Sequence, residues 1–201
     1  MRVKSDEKRQ AILDIAKESF TKQGFEQTSM SHISKQLGGS KATLYNYFCS
    51  KEEIFSAVME QCAASQISNS FLALEQNSDI RSALLEFGYN FLKSVLRPEV
   101  ISIYRMAIHD AERSDIGKHF YENGPKRGWT RMKNYLSLQT ERGVLVPCDP
   151  WVAAMQFKAL LYSEYHEPYV LGAIEQPSSE QLRLSTERAV TAFLCLYQKA
   201  A

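Results

Sequence analysis

The sequence predicts an all-α chain of about nine helices, with a three-helix helix-turn-helix unit at the N-terminus and a larger helical domain after it. Three observations carry that expectation. Apolar residues recur at helical spacing along most of the chain. Capping residues such as Ser40, Ser50 and Asp149 stand just ahead of those runs. Helix-stopping glycines (Gly24, Gly38-Gly39, Gly143) stand behind them. The 201 residues are 44% hydrophobic and 23% charged, enough apolar material for one large domain or two small ones and not the composition of a disordered chain.

The first helix is expected over 5–23, with Ala11, Ile12, Ile15, Ala16, Ser19 and Phe20 on one face and Gly24 as its stop. Thr28 or Ser29 caps a second, to about Leu37, whose stripe is Met30, Ile33 and Leu37. Gly38-Gly39 breaks the chain, and Ser40 caps a short third helix from Lys41 to about Tyr47 with Leu44 turned inward. Ser50 and Glu53 form a capping box for a fourth, with Ile54, Phe55, Val58, Met59 and Cys62 on its apolar side, running past Ile67 towards Phe71. Further helices are expected over 79–96, from Pro98, over 115–121, from Pro125 to Gly143, from Pro150 behind its Asp149 cap, and over 179–199. A loop is expected around 168–177.

Lys plus Arg number 24 and Asp plus Glu 23, which excludes a polybasic protein but not a local basic face. Residues 1–50 hold eight basic and five acidic side chains, a net +3, whereas residues 51–201 hold sixteen and eighteen, a net −2. The four cysteines form no CxxC pair, as expected of free, buried thiols in a reducing cytoplasm. The start has no apolar segment of a signal peptide, and no window approaches eighteen apolar residues, so neither secretion nor a membrane partner is expected. No catalytic motif such as GxSxG or a P-loop occurs, and the spacing of His109, Asp110, Glu112, Asp115 and His119 matches no metal pattern. No enzyme activity, metal or cofactor is expected.

The positive excess falls on the unit with the helix-turn-helix pattern. Lys41, Thr43, Tyr45 and Tyr47 surround its third helix, and ammonium and hydroxyl groups reach phosphate oxygens. Lys51, opening the next helix, can reach the flanking backbone, and Ser40 would spend its hydroxyl as cap. Base reading falls to Ser31, His32, Ala42, Thr43 and Tyr47, where a methyl group can meet thymine and a hydroxyl a base edge. An exposed polar helix face with no partner is the alternative on these residues alone.

The run TSMSHISKQLGGSKATLYNYFCSKEEIF, residues 28–55, resembles the DNA-binding region of TetR-family transcriptional regulators, and ILDIAKESFTKQGFEQ before it resembles that family's first helix. The strongest marks are Leu44 to Phe48, Lys41, Lys51-Glu52-Glu53 and Gly24-Phe25. The resemblance implies a DNA-binding domain over 1–50 and a ligand-binding and dimerisation domain over 51–201. It implies phosphate contacts at Lys41, Tyr45, Tyr47 and Lys51, with Thr43 on phosphate or base. Two positions depart from the family pattern: Ser34 stands where alanine is common and Gly39 where valine is. Ser34 can satisfy its hydroxyl on an i−4 carbonyl, and Gly39 is expected to loosen the recognition helix. Stretches within 98–172, notably IYRMAIHDAERSDIGKHFYENGP, ERGVL and DPWVAAMQF, resemble the C-terminal domain of the AefR-like subclass.

With that resemblance, Phe87, Phe91, Trp129, Met132, Tyr135 and Met155, together with Tyr104, Arg105 and His109, are expected to line a pocket for a small effector. The last two long helices are expected to pair in a homodimer reading a pseudo-palindromic duplex operator. The implied function is a repressor released by an apolar or amphipathic molecule. The alternative is a helical adaptor whose DNA unit has decayed, with Gly39 as its sequence support.

Overall fold

A computed structural model describes residues 5–59, 61, 67, 69–71, 74, 79–112 and 114–199. These form helices α1 (Asp6–Gln23), α2 (Met30–Gln36), α3 (Lys41–Tyr45), α4 (Lys51–Met59), α5 (Ile80–Val95), α6 (Pro98–His109), α7 (Ile116–Asn123), α8 (Pro125–Glu141), α9 (Pro150–Tyr162), α10 (His166–Val170) and α11 (Ser179–Tyr197). The described residues thus hold eleven helices, where about nine are expected from the sequence. The helix with no counterpart among the segments read from the sequence is α10, which carries Pro168 inside it, in a stretch the sequence assigns to a loop from 168 onward. None of these helices is long and apolar enough to cross a membrane.

Caps explain most boundaries. Ser5, Ser29, Ser40, Asp79 and Asp149 each accept a backbone N–H of the first turn of the helix they precede. Ser178 and Gln181 form a full capping box for α11. The box expected at α4 is different. Ser50 Oγ accepts from Glu53 N–H, but the Glu53 carboxylate accepts from Cys49 N–H, one residue further back. The expected course of this helix through Cys62 and beyond lies largely outside the described residues.

Contacts divide the chain into two compact units, Met1–Cys62 with Ser102–Gly124, and Ala63–Ile101 with Pro125–Ala201. Helix α4 packs on α1 and α7, and α6 crosses from one unit to the other between Ile101 and Ser102.

The first unit closes around a triangle of rings. Phe20, Phe25 and Phe55 have centroids 5.4 to 5.9 Å apart. Ile12, Leu13, Ala16, Ile33, Leu44, Ile54 and Val58 complete this core with Ile103, Met106 and Ile116. The apolar stripes read from the sequence supply its members.

In the second unit α5 and α9 pack on α11, and α8 on α9. Close approach rests on two glycines: a Cβ at Gly88 would stand 2.7 Å from Thr186 Cγ2, and one at Gly128 would stand 2.6 Å from Phe71 Cε2. An antiparallel bridge pairs Leu145 with Gln198, and Val146 N–H donates to Tyr197 C=O at 2.8 Å.

Candidate nucleic-acid interface

Helices α2 and α3 are short and meet across Leu37–Ser40. Gly38 turns the chain with φ +68°, a conformation that favours glycine. Gly39 has an ordinary φ, and a Cβ there would meet Leu37 and Thr43 at normal contact distances. The two departures from the family pattern answer each other. Ser34 Oγ, 4% exposed, donates to the Gly39 carbonyl at 3.0 Å, and Gly39 N–H donates back to Ser34 C=O at 3.3 Å. The i−4 carbonyl expected as the partner of Ser34 is therefore not the one used. The hydroxyl ties the turn shut in place of an apolar anchor.

Leu44 is fully buried and orients α3. Its opposite side carries Lys41, Ala42 and Tyr45, all exposed, Tyr45 by 49%. Ser31 is exposed and His32 half-buried at the start of α2. Ser40 caps α3 through Thr43 N–H, and its hydroxyl stands 3.0 Å from Thr43 Oγ1, so the two hydroxyls form one pair. Tyr47 is half-buried and its phenol oxygen accepts from Ser5 N–H at 3.0 Å, tying α1's cap to the end of the reading pair.

Lys51 is placed differently from an outward phosphate ligand. Its Nζ donates to Phe25 C=O at 2.8 Å and to Glu26 C=O at 3.4 Å, and stands 4.1 Å from the Phe25 ring centroid. The other side of the same residue is held as well. Phe25 N–H donates to Asp110 Oδ2 at 2.8 Å, and Asp110 is 2% exposed. Sequence reasoning missed this role for Asp110. The signal available was an acidic side chain at the negative end of a helix, where carboxylates are disfavoured unless another donor holds them.

The expected effector residues separate. Phe87, Phe91, Trp129, Met132 and Tyr135 lie buried in the second unit with Met155 packed against them. Tyr104, Arg105 and His109 belong to the first unit. Phe87 and Phe91 stack at 5.3 Å, Phe91 and Tyr162 at 5.9 Å, and Tyr162 and His166 at 3.8 Å, with interplanar angles of 15°, 13° and 8°. Trp129 meets Phe87 and Phe91 edge-on. Burial, with a smaller contribution from the Lys158 charge, lowers the His166 pKa to about 4, and burial lowers that of Lys158 too. A separate polar cleft of about 450 Å³ is lined by Asn69, Ser70, Asn90, Lys93, Ser94, Arg97 and Gln176, none of them an expected pocket residue.

Family comparison agrees with this geometry. Residues 12–58 match the bacterial regulatory proteins of the tetR family, and residues 82–199, more than half of the chain, match the C-terminal domain of AefR-like transcriptional repressors. The chain belongs to the TetR family. It is a transcriptional regulator with a helix-turn-helix DNA-binding domain, and members of this family bind operator DNA as dimers and respond to small molecules. Over 95 residues it is 34% identical to the HTH-type transcriptional activator FasR of Mycolicibacterium smegmatis, a match spanning 46% of this chain and 43% of that relative's length. Among solved structures, the flavonoid-responsive regulator FrrA shares 29% identity over 98% of this chain and 100% of its own, with a TM-score of 0.84. A TetR-family transcriptional regulator from Pseudomonas syringae pv. tomato shares 25% identity over the same fractions, with a TM-score of 0.70.

Proposed function

We propose that this TetR-family regulator is a cytoplasmic repressor that binds a pseudo-palindromic operator as a homodimer and leaves it when a small amphipathic molecule binds the second unit. The observation that carries the reading is α3, anchored from beneath by buried Leu44 and presenting Lys41, Ala42 and Tyr45 to solvent. Lys41 and Tyr45 contact phosphate, with Ser40 and Tyr47 fixing register from the helix ends. Ser31, His32, Ala42 and Thr43 read bases. Lys51 acts on DNA mainly by fixing the 25–26 backbone, since two carbonyls already accept from its ammonium. The match to AefR-like repressors over 82–199 supports the repressing sign.

Dimerisation is assigned to α9 and α11. Val152, Gln156 and Ala159 form an exposed stripe on α9, continued by Ser163 just past its end, and Leu184 and Cys195 are exposed on α11. Two copies paired there set two α3 helices about 34 Å apart or a multiple of a helical turn.

For the effector, the near-parallel rings from Phe87 to His166 favour a planar aromatic molecule, and the flavonoid response of FrrA supports the same class. Such a molecule has to part rings that now touch, which gives it differential affinity for two packings and lets it shift their populations.

The test is a mobility shift on the duplex upstream of the protein's own gene, with and without a planar flavonoid of the flavone type. Binding released by the compound is expected, and equal affinity in both conditions refutes the switch. Lys41→Ala should weaken binding to every sequence and reduce the salt slope by about 1. An unchanged slope removes Lys41 from the phosphate contacts.

A further inference from the structure

Phe25 is the residue on which two arms of the chain converge. It follows Gly24, whose φ of +85° ends α1, and it precedes α2 by a single turn, closed by Thr28 N–H donating to Phe25 C=O at 3.2 Å. Thr28 is itself fully buried, and its hydroxyl donates to Gly24 C=O at 2.8 Å. The corner is thus rigid internally, and its placement is decided by what grips Phe25 from outside.

Both grips are charged and oppositely signed. The carboxylate of Asp110 takes the N–H, and the ammonium of Lys51 takes the C=O. A charged partner makes a backbone hydrogen bond roughly twice as strong as a neutral one. Asp110 follows directly on α6, and its own N–H donates to Met106 C=O at 3.0 Å, so the carboxylate moves with the end of that helix. Ser114 N–H and Oγ both donate to Asp110 C=O, at 3.0 and 3.1 Å, which fixes the residue from the other side. Helix α6 begins in the second unit and ends in the first. A shift of its axis by 1 Å or so would take Oδ2 out of hydrogen-bond range of the Phe25 N–H and leave two buried polar groups without each other.

We propose that Asp110 is a positioning residue for DNA binding. Through the Phe25 N–H it holds the corner ahead of α2 in the DNA-competent arrangement and makes the end of α6 an input to the reading helices. The inference rests on the DNA-binding reading above and adds to it a route from α6 to the reading helices.

The test compares wild type, Asp110→Ala and Asp110→Asn, each as the full chain, well below its melting temperature. The probe is a duplex selected by the wild-type protein from a random pool. Asp110→Ala is expected to bind it roughly tenfold more weakly, with the salt slope unchanged because no phosphate contact is lost. Asp110→Asn keeps an acceptor oxygen and should recover part of that loss. A bond that only stabilises the fold would lower the melting temperature and leave affinity untouched at low temperature. Coupling is also reciprocal. Adding duplex should slow amide exchange at Phe25 and over residues 102–109 of wild type, and should not slow the latter in Asp110→Ala. If Asp110→Ala does not fold, Asp110→Asn with the exchange measurement carries the test. Wild-type affinity in the variant that folds, or duplex-induced protection of 102–109 that survives the substitution, overturns the role of Asp110 and leaves the DNA-binding reading standing. Failure of the wild-type protein to bind any duplex overturns both.

Discussion

Replacing Ser34 by alanine separates the turn's hydrogen bond from its backbone. The hydroxyl is 4% exposed and donates to the Gly39 carbonyl at 3.0 Å. An intramolecular hydrogen bond of this kind contributes about 1 kcal/mol net. The Gly39 carbonyl is on a half-buried residue, so water can replace part of the loss. About 1 kcal/mol is therefore the upper part of the expected range, and for a chain of this length it lowers the melting temperature by roughly 2–4 °C. Gly39→Ala acts in the opposite direction. Its Cβ would meet Leu37 Cδ2 at 3.7 Å and Thr43 Cβ at 3.9 Å, both ordinary contacts. The substitution restricts the unfolded chain and should stabilise by about 0.4–1 kcal/mol. The double variant should melt close to the parent, since the two effects nearly cancel. Thermal melting followed by circular dichroism reads all three, and amide exchange at Gly39 reads the turn directly, with faster exchange expected in Ser34→Ala. If Ser34→Ala melts at or above the parent temperature with Gly39 exchange unchanged, the hydroxyl does not hold the turn.

Tyr135→Phe should be neutral or stabilising, because the phenol oxygen is buried with no hydrogen-bond partner among the described residues; a clear drop in melting temperature would contradict this. Burial also pushes the Tyr135 pKa up to about 12. The unfolded chain therefore loses this proton near pH 10 while the folded one keeps it, and stability should fall as pH rises from about 10 to 12; Tyr135→Phe should flatten that limb of a denaturation profile. His166 gives the acid counterpart. Its folded pKa of about 4 lies below the ordinary value, so its contribution is present above about pH 6.5 and is lost as pH falls towards 4. Chemical denaturation at stepped pH should show a shallower acid slope for His166→Gln, and an unaltered slope would mean that His166 takes up its proton as readily in the folded protein.

Local chemistry made most of the fold legible. Ser5, Ser29, Ser40, Asp79 and Asp149 cap helices because a short polar side chain ahead of an apolar stripe has a nearby backbone N–H to satisfy. Leu44 was readable as the inner side of α3 for the same short-range reason. The interior partners were not. Asp110 meets Phe25 across 85 positions, and Lys51 meets it across 26, separations at which no periodicity operates. Lys51 read as a phosphate ligand because its type and place fit one, yet a nearer backbone carbonyl competes for the same ammonium. Ser34 found Gly39 instead of the i−4 carbonyl because the turn brings the later carbonyl within reach. The aromatic residues were legible as a group but not as a stack, and α10 was hidden by Pro168, which sits near the helix start where its missing N–H costs little.

The contact between α5 and α11 at Gly88 constrains how related sequences can vary. Thr186 Cγ2 fills the space where a side chain at 88 would begin. Alanine at 88 is accommodated when position 186 loses its branch, as in serine or alanine, and Leu161 Cδ2, 3.0 Å from the same point, gives way by a few tenths of an ångström. In an alignment of relatives these two columns should therefore covary, small at one whenever the other is bulky, and the pair would report the α5–α11 spacing in descendants whose structures have never been seen.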